Sequence, residues 1–341
     1  MIQFIIRRLL FLVVVLLGIS IITFALTHLV PGDPARLMAG QHATGEQVKE
    51  LAQRYGLDKP VTAQFWIYIK GLLTGDLGMS LTNRRPVLDD LRQFLPASIE
   101  LTAGAVVLVV LIGLPIGLFT GAAQGRMLDH VMRFVTVSGV SMPIFWLGIL
   151  MQIVFYQQLQ LLPLGGRLGI LDIEPPHVTG LYLVDTLLDG DFTAFRSALV
   201  HLILPAVTLA SGSIAVISRM MRASVIDVID ADYVRTARAK GLPPGAVLRF
   251  HVFRNALIPT TTILGLQVGA MLDGNVLAEV VFNWPVVGLY AVNAIKNLDY
   301  PAIMGVTLAI SVIYVIVNLL VDIAYVVLDP RISFNGGPGR G

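Results

Sequence analysis

The feature that most constrains the fold of this chain is a set of long apolar stretches. We count six of them, at residues 9–30, 98–122, 131–160, 199–219, 256–281 and 303–328. A helix needs about 20 apolar residues to cross a bilayer, and there only helices and closed barrels satisfy their backbone hydrogen bonds. The chain is 55% hydrophobic and 13% charged, against about 25% charged in soluble domains. The sequence therefore predicts an all-α polytopic membrane protein with six transmembrane helices.

Several classes of function are disfavoured by composition and by missing motifs. The net charge of +2 indicates no nucleic-acid surface. There is no cysteine, and the six histidines form neither an HExxH motif nor a close pair, so we expect no metal site and no cofactor. No GxxxxGK(S/T) phosphate loop is present, which argues against an ATPase. No GxSxG turn marks a hydrolase, so we expect no catalytic residue.

The distribution of basic residues predicts the orientation of the chain. Arg7 and Arg8 precede the first apolar run, which is longer than the core of a signal peptide and is interpreted as an uncleaved span. With the N-terminus inside, the short outer loops hold only Arg167, Arg196 and Lys296. Because short cytoplasmic loops are enriched in Lys and Arg, both termini are predicted to be cytoplasmic.

The apolar runs divide the chain into three parts. They are residues 1–30, with the first span, residues 31–97, a long outer loop, and residues 98–341, a five-span core with a charged loop at 219–259. In the outer loop, Thr44 and Gln47 can form a capping box for a helix that Gly56 ends. Pro60 is placed to begin a second helix, and Pro86 a third short one. We therefore predict a structured helical loop.

The charged loop at 219–259 contains the main functional candidate, a short helix at residues 232–240. Asp232 lies at its start, Arg238 and Lys240 at its end, and Gly241 just beyond. This order matches the helix dipole and the backbone geometry of a helix end. We expect a capped surface helix between two spans, suited to being held by another protein. The alternative is an ordinary basic cytoplasmic loop.

This loop resembles the EAA loop of ABC-importer permeases, in the form found in the dipeptide/oligopeptide/nickel class. The matching residues are Asp232, Tyr233, Arg235, Thr236, Ala237, Arg238, Ala239, Lys240 and Gly241, then Arg254, Asn255, Ala256, Leu257, Ile258 and Pro259. The general pattern has Glu-Ala-Ala where this chain has Arg235, Thr236 and Ala237. The resemblance extends over the whole chain, including MPIFW at 142–146 and NWPVVG at 283–288.

The resemblance implies a type I ABC importer permease that works by alternating access in a prokaryotic inner membrane. Its partners would be a second homologous permease chain, two ATPase subunits that bind ATP and Mg, and a periplasmic substrate-binding protein. The residues implied to couple the chain to the ATPase are Asp232, Tyr233, Arg235, Thr236, Ala237, Arg238, Lys240 and Gly241. Tyr233 and Ala237 lie four residues apart, so we expect them on one partner-facing side.

Polar residues inside the predicted spans are a second group of candidates: Gln267, Asp273, Asn275, Glu279 and Asn318. Ionisable groups in a membrane are costly and face the bundle interior or water. One interpretation is a translocation path, in which Asp273 and Glu279 meet an ammonium group or a cation. The other is structural, with bonds to a neighbouring helix or exposure at the bilayer edge.

Glycine and proline in the spans leave two interpretations open. Gly113, Gly117, Gly148, Gly212 and Gly265 could serve as hinges for alternating access, or simply allow close helix packing.

The substrate expected from the resemblance is a short peptide. Nickel chelates, glutathione and haem are alternatives within the class. An ion-coupled secondary transporter is the alternative from another class, but it would typically show an inverted repeat, and we find none in the sequence.

Overall fold

The computed structural model describes residues 2–29, 35–36, 43–272 and 276–328. Within these ranges the chain is helical, and its only β-type contact is an isolated bridge between Met79 and Pro86. The helices are α1 (Ile2–Leu29), α2 (Gly45–Tyr55), α3 (Val61–Thr74), α4 (Val87–Ala122), α5 (Met127–Ser141), α6 (Ile144–Gln158), α7 (Tyr182–Asp189), α8 (Phe192–Ile229), α9 (Asp232–Ala239), α10 (Pro244–Leu272), α11 (Val276–Val281), α12 (Val287–Lys296) and α13 (Tyr300–Leu328). The prediction of an all-α chain is confirmed.

Four of the described helices are long and apolar enough to cross a membrane: Val87–Ala122, Phe192–Ile229, Pro244–Leu272 and Tyr300–Ala324. Two shorter apolar segments, Leu10–Ala25 and Ile144–Gln158, fall in the first and third predicted spans. The predicted fifth span differs in its bounds, because α10 already begins at Pro244. Its last described residues, Val276–Val281, are helical and are labelled α11.

The predicted third span, 131–160, is not a single continuous helix. Helix α5 ends at Ser141, and α6 begins at Ile144. Between them Met142 and Pro143 are extended, with ψ angles of 134° and 132°. Proline disfavours the helical conformation of the residue before it and has no backbone N–H to donate, so the helix is interrupted here.

The prediction of a short helix after Pro86 is also wrong. That helix continues without a break through the second predicted span and forms α4, 36 residues long. Pro96 lies inside it.

The chain divides into two compact units. The described residues of the first are 2–95 and 287–315, and those of the second are 96–286 and 316–328.

The first unit contains the capped helices of the predicted outer loop. Thr44 donates its backbone N–H to Gln47 Oε1 at 2.9 Å and accepts from the Gln47 N–H, so the predicted capping box is confirmed. Gly56 ends α2 in a left-handed conformation with φ of 67°, as expected. The core of this unit is formed by α4, α12 and α13, through Val87, Leu91, Val287, Tyr290, Ala294, Ala302 and Val306.

The second unit is organised around α8. The end of α4 (Leu114–Ala122), α5, the first part of α6, α7 and α10 all pack on this 38-residue helix. Elsewhere in the unit, Trp284 is buried and donates its indole N–H to the Ala97 carbonyl at 3.0 Å. Arg167 and Glu100 form a buried ion pair of 2.7 Å, which ties residue 167 to the first half of α4.

Candidate coupling helix and path residues

The predicted helix at 232–240 is present as α9, Asp232–Ala239, one residue shorter than expected. Gly241 follows it in a left-handed conformation with φ of 79°. The Gly241 N–H donates to the Arg238 carbonyl at 3.0 Å, and the Leu242 N–H donates to the Ala237 carbonyl. These bonds satisfy carbonyls at the helix end that would otherwise lack partners. Pro244 does not serve as a stop for α9 but begins α10.

Helix α9 has one buried and one exposed side. Val234 is fully buried and Ala237 is 4% exposed, whereas Tyr233 is 45% exposed. The buried side is explained by the packing of α9 on the first turns of α10, at Val247–Phe253. The expectation that Ala237 shares an outward face with Tyr233 is therefore wrong. The two residues are only about 40° apart around the helix, and the edge of the buried side passes between them.

The exposed side of α9 carries most of the predicted coupling residues. Asp232, Tyr233, Arg235, Thr236, Arg238 and Lys240 are all exposed. Arg235 and Asp232 are 3.6 Å apart, and since both are well solvated this ion pair contributes little to stability. Partial burial raises the pKa of the Tyr233 phenol above its usual value. A phenol is neutral at neutral pH in any case, so Tyr233 can act as a hydrogen-bond donor. This side combines a neutral aromatic donor with several charged groups.

The C-terminal end of α8, just before α9, is held by a charge pair that sequence reasoning missed. Asp129 at the start of α5 is fully buried and accepts from Arg222 Nε at 2.7 Å and from Arg222 Nη2 at 2.9 Å. The Gly125 N–H also donates to it, at 3.1 Å. The hydrogen bonds from Arg222 lower the pKa of Asp129 to about 2. The signal in the sequence was an acidic residue between the basic residues Arg126 and Arg133.

The predicted path residues lie in different elements. Gln267 in α10 accepts a hydrogen bond from Ser213 in α8 at 2.7 Å, which is a structural link between two helices. Glu279 in α11 is 5% exposed, and its Oε2 atom has no hydrogen-bond partner within the described residues. Asn318 lies partly buried in α13. Asp273 and Asn275 lie outside the described residues. Within those residues no hydrogen bond joins Gln267, Glu279 and Asn318 to one another.

The glycines that could be hinges are mostly sites of close packing. A Cβ added at Gly117 would lie 2.5 Å from Met221 Cβ and 2.6 Å from the Ser218 carbonyl oxygen. At Gly265 it would meet Val321 Cγ2 at 2.5 Å, and at Gly148 it would meet Phe282 at 3.1 Å. Gly212 is the exception, with no atom of the described residues within 4 Å of such a Cβ. The packing interpretation therefore holds for these three close-packed glycines.

The fold and the site define a polytopic helical membrane protein in which a short, capped surface helix joins two long apolar helices, α8 and α10. Residues 113–334 match the family described as binding-protein-dependent transport system inner membrane component. Residues 1–102 match the N-terminal membrane component of the same systems. The chain belongs to this family of importer permeases, and the resemblance seen in the sequence is confirmed.

Curated relatives match this chain over nearly its whole length. The "Probable D,D-dipeptide transport system permease protein DdpB" of Escherichia coli (strain K12) is 47% identical over 326 residues, or 96% of each chain. The "Dipeptide transport system permease protein DppB" of Alkalihalophilus pseudofirmus is 41% identical and covers 98% of this chain and 100% of its own length. The "Glutathione transport system permease protein GsiC" of Escherichia coli O6:H1 is 36% identical with the same coverage.

Proposed function

We propose that this chain is the permease subunit of an ATP-driven importer that moves short peptides across the inner membrane. The observation that carries this proposal is the full-length match to permeases named for dipeptide transport, at up to 47% identity. The glutathione permease is a more distant match at 36%, so glutathione, which is itself a small peptide, is the second candidate. Nickel chelates and haem stay alternatives from the sequence, whereas the family match argues against ion-coupled transport.

The proposed topology has six spans with both termini in the cytoplasm. The spans belong to α1, α4, the α5–α6 pair, α8, α10 and α13. The proposed parts are the first span within residues 1–30, a periplasmic loop domain at 31–97, and a five-span core at 98–341 with its coupling loop at 219–259. The excess of Lys and Arg near the ends of α5, α8 and α10 supports this orientation. It places α9 on the cytoplasmic side, where an ATPase subunit could reach it.

The proposed partners are a second homologous permease chain, two ATPase subunits and a periplasmic substrate-binding protein. ATP and Mg would be bound by the ATPase subunits, and this chain would catalyse no covalent step. We assign direct contact with the ATPase to the exposed side of α9, through Asp232, Tyr233, Arg235, Thr236, Arg238 and Lys240. Ala237 and Gly241 would act indirectly, by seating α9 on α10 and by ending it. Closure of the ATPase pair would favour one state of the spans through its different affinity for the two states.

The proposed translocation path is lined by Gln267, Asp273, Asn275, Glu279 and Asn318. Of these, Glu279 has the clearest support. A buried carboxylate oxygen that has no hydrogen-bond partner among the described residues is a suitable acceptor for the ammonium group of a peptide. Gln267 is already occupied by Ser213, which supports a structural role for it.

The test is uptake by the complete complex reconstituted in vesicles with its binding protein. We expect ATP-dependent uptake of a labelled dipeptide, competed by other dipeptides more strongly than by glutathione. Tyr233→Ala should lower both uptake and recruitment of the ATPase. The matched control is Phe250→Ala, because Phe250 is also an exposed aromatic residue (61%) and lies on the neighbouring segment. Uptake driven by an ion gradient without ATP would refute the proposed class, and preference for glutathione would reassign the substrate.

A further inference from the structure

The inner ends of three helices in the second unit meet at one buried carboxylate. Asp129, in the first turn of α5, receives both Nε and Nη2 of Arg222 from α8 and the Gly125 N–H from the turn after α4. Arg133 lies on the outside of this group, 3.4 Å from Asp129 and with 46% of its side chain exposed. Removing one member of a buried ion pair leaves the other charge without compensation, so this junction resists separation.

The same part of α8 is packed on α4 at backbone distance. Besides the contacts of Gly117, a Cβ at Gly121 would lie 2.7 Å from Val225 Cβ and 3.0 Å from the Arg222 carbonyl oxygen. Ser218 Oγ donates to the Gly113 carbonyl at 3.1 Å. Glycines at every fourth position let two helices approach closely and interlock. Between Gly113 and Gly121, α4 therefore lies against α8 without room for sliding.

Helix α8 continues from this junction directly to α9. Arg222 is seven residues before the end of α8 at Ile229, which is about 10 Å along the axis at about 1.5 Å per residue. Beyond Ile229 only two residues intervene before α9 begins. Arg238 of α9 donates back to the Ile229 carbonyl at 3.2 Å. A force on α9 is thus applied within two or three helical turns of the buried pair.

We propose that Asp129 is a positioning residue for coupling: through Arg222 it fastens the α4–α5 turn to the inner end of α8, so that a displacement of α9 moves α4, α5 and α8 as one body. This inference rests on the proposed coupling role of α9. Without the pair, α8 and the part of α4 interlocked with it at Gly113–Gly121 would still follow α9. The α4–α5 turn and α5 would lag behind, and ATP hydrolysis would no longer be converted fully into transport.

The experiment compares the complete complex carrying Asp129→Asn with the unaltered complex and with Arg133→Gln. In the control, the residue removed is Arg133, which contacts the same carboxylate over a longer distance and is about half exposed. We expect Asp129→Asn to keep ATPase activity within about twofold while peptides transported per ATP fall about tenfold, and Arg133→Gln to change neither by more than about twofold. Arg222→Lys keeps the charge but loses the two-pronged geometry, and should give an intermediate loss.

A second measurement separates coupling from simple loss of fold. Because the chain has no cysteine, labels can be placed at Arg126→Cys, in the turn after α4, and at Ala239→Cys, at the end of α9; both positions are exposed. With the pair intact, the distance between the labels should stay constant when ATP is added. In the Asp129→Asn variant this distance should change. If Asp129→Asn does not assemble, Arg222→Lys takes its place in the same measurement.

The outcomes distinguish this inference from the proposed function. An unaltered complex without ATP-dependent uptake would refute the function itself. The role of Asp129 would be refuted by a different result: the unaltered complex transports, and the Asp129→Asn complex transports as many peptides per ATP and keeps the label distance fixed.

Discussion

Replacing Gly117 by alanine should destabilise the helix pair α4–α8, although the change adds only one methyl group. Its carbon would lie 2.5 Å from Met221 Cβ and 2.6 Å from the Ser218 carbonyl oxygen, where ordinary contacts between heavy atoms are about 3.5–4 Å. A backbone carbonyl and a Cβ cannot rotate away, so the two helices must separate by about 1 Å. Overpacking of this kind costs about 1–3 kcal/mol, and more where the backbone has to move.

The matched control is Gly212→Ala on α8. Within the described residues no atom lies within 4 Å of the added methyl group. In a helix interior, alanine is about 1 kcal/mol more favourable than glycine. Gly117→Ala gains the same propensity term but loses more in packing, so the two variants should differ by about 1–3 kcal/mol, with Gly117→Ala the less stable.

The assay is thermal unfolding of the detergent-purified complex, followed by loss of the monodisperse species. Gly117→Ala should unfold at a lower temperature than the unaltered complex, and Gly212→Ala at the same or a higher one. If both variants unfold together, or Gly117→Ala is the more stable, the close approach of α4 and α8 is not a feature of the native state.

Three further predictions follow from local geometry. Gly241→Val should reduce uptake with little effect on the rest of the fold, because a left-handed φ of 79° costs an L-residue about 1–2 kcal/mol, while no atom among the described residues blocks the side chain. Gly241→Asn should retain most uptake. Equal uptake by the valine and asparagine variants would contradict this prediction. Arg167→Met should lower the amount of folded chain in the membrane, because it leaves the Glu100 carboxylate buried without its ion-pair partner at a cost of about 3–5 kcal/mol. The double variant with Glu100→Gln should recover part of that amount. If the double variant recovers none of it, the ion pair does not contribute to stability as argued. The pKa of Asp129, lowered from 3.8 to about 2, corresponds to about 2 kcal/mol of stability that is fully present above pH 4 and is lost as the pH falls towards 2. The stability gap between the unaltered chain and Asp129→Asn should therefore shrink over that interval, and a gap that is constant between pH 2 and pH 5 would refute the assignment.

What the sequence predicted well depends on neighbours within a few residues. The capping box of Thr44 and Gln47, the end of α2 at Gly56 and the end of α9 at Gly241 all follow from local hydrogen bonding and backbone preference. The interruption at Met142 and Pro143 is equally local in origin, but it was not predicted. The apolar run continues through it, and hydropathy alone does not show that proline has removed a helical hydrogen bond.

What the sequence did not predict depends on contacts between distant residues. Asp129 and Arg222 are 93 positions apart, and Glu100 and Arg167 are 67 apart. Each of these residues looks like an ordinary charge near the end of a span, and only the packing of α4, α5 and α8 places them together. The buried side of α9 was misjudged for a related reason: an eight-residue helix has room for two faces, and which face is buried is decided by α10.

These long-range contacts also support the proposal that one short helix couples several spans to a partner. Helix α9 buries only Val234 and Ala237 and is too short to be stable by itself, since isolated helices below about 12 residues are marginal in water. Its position is therefore set by the elements on which it is seated, the first turns of α10 and the end of α8. Both elements continue as long apolar helices, and α8 is joined to α4 and α5 by glycine contacts and a buried ion pair. Under the proposed function, a partner that holds the exposed side of α9 would thereby hold the adjoining ends of four helices, α4, α5, α8 and α10. A separate ATPase subunit could drive the spans through such an arrangement.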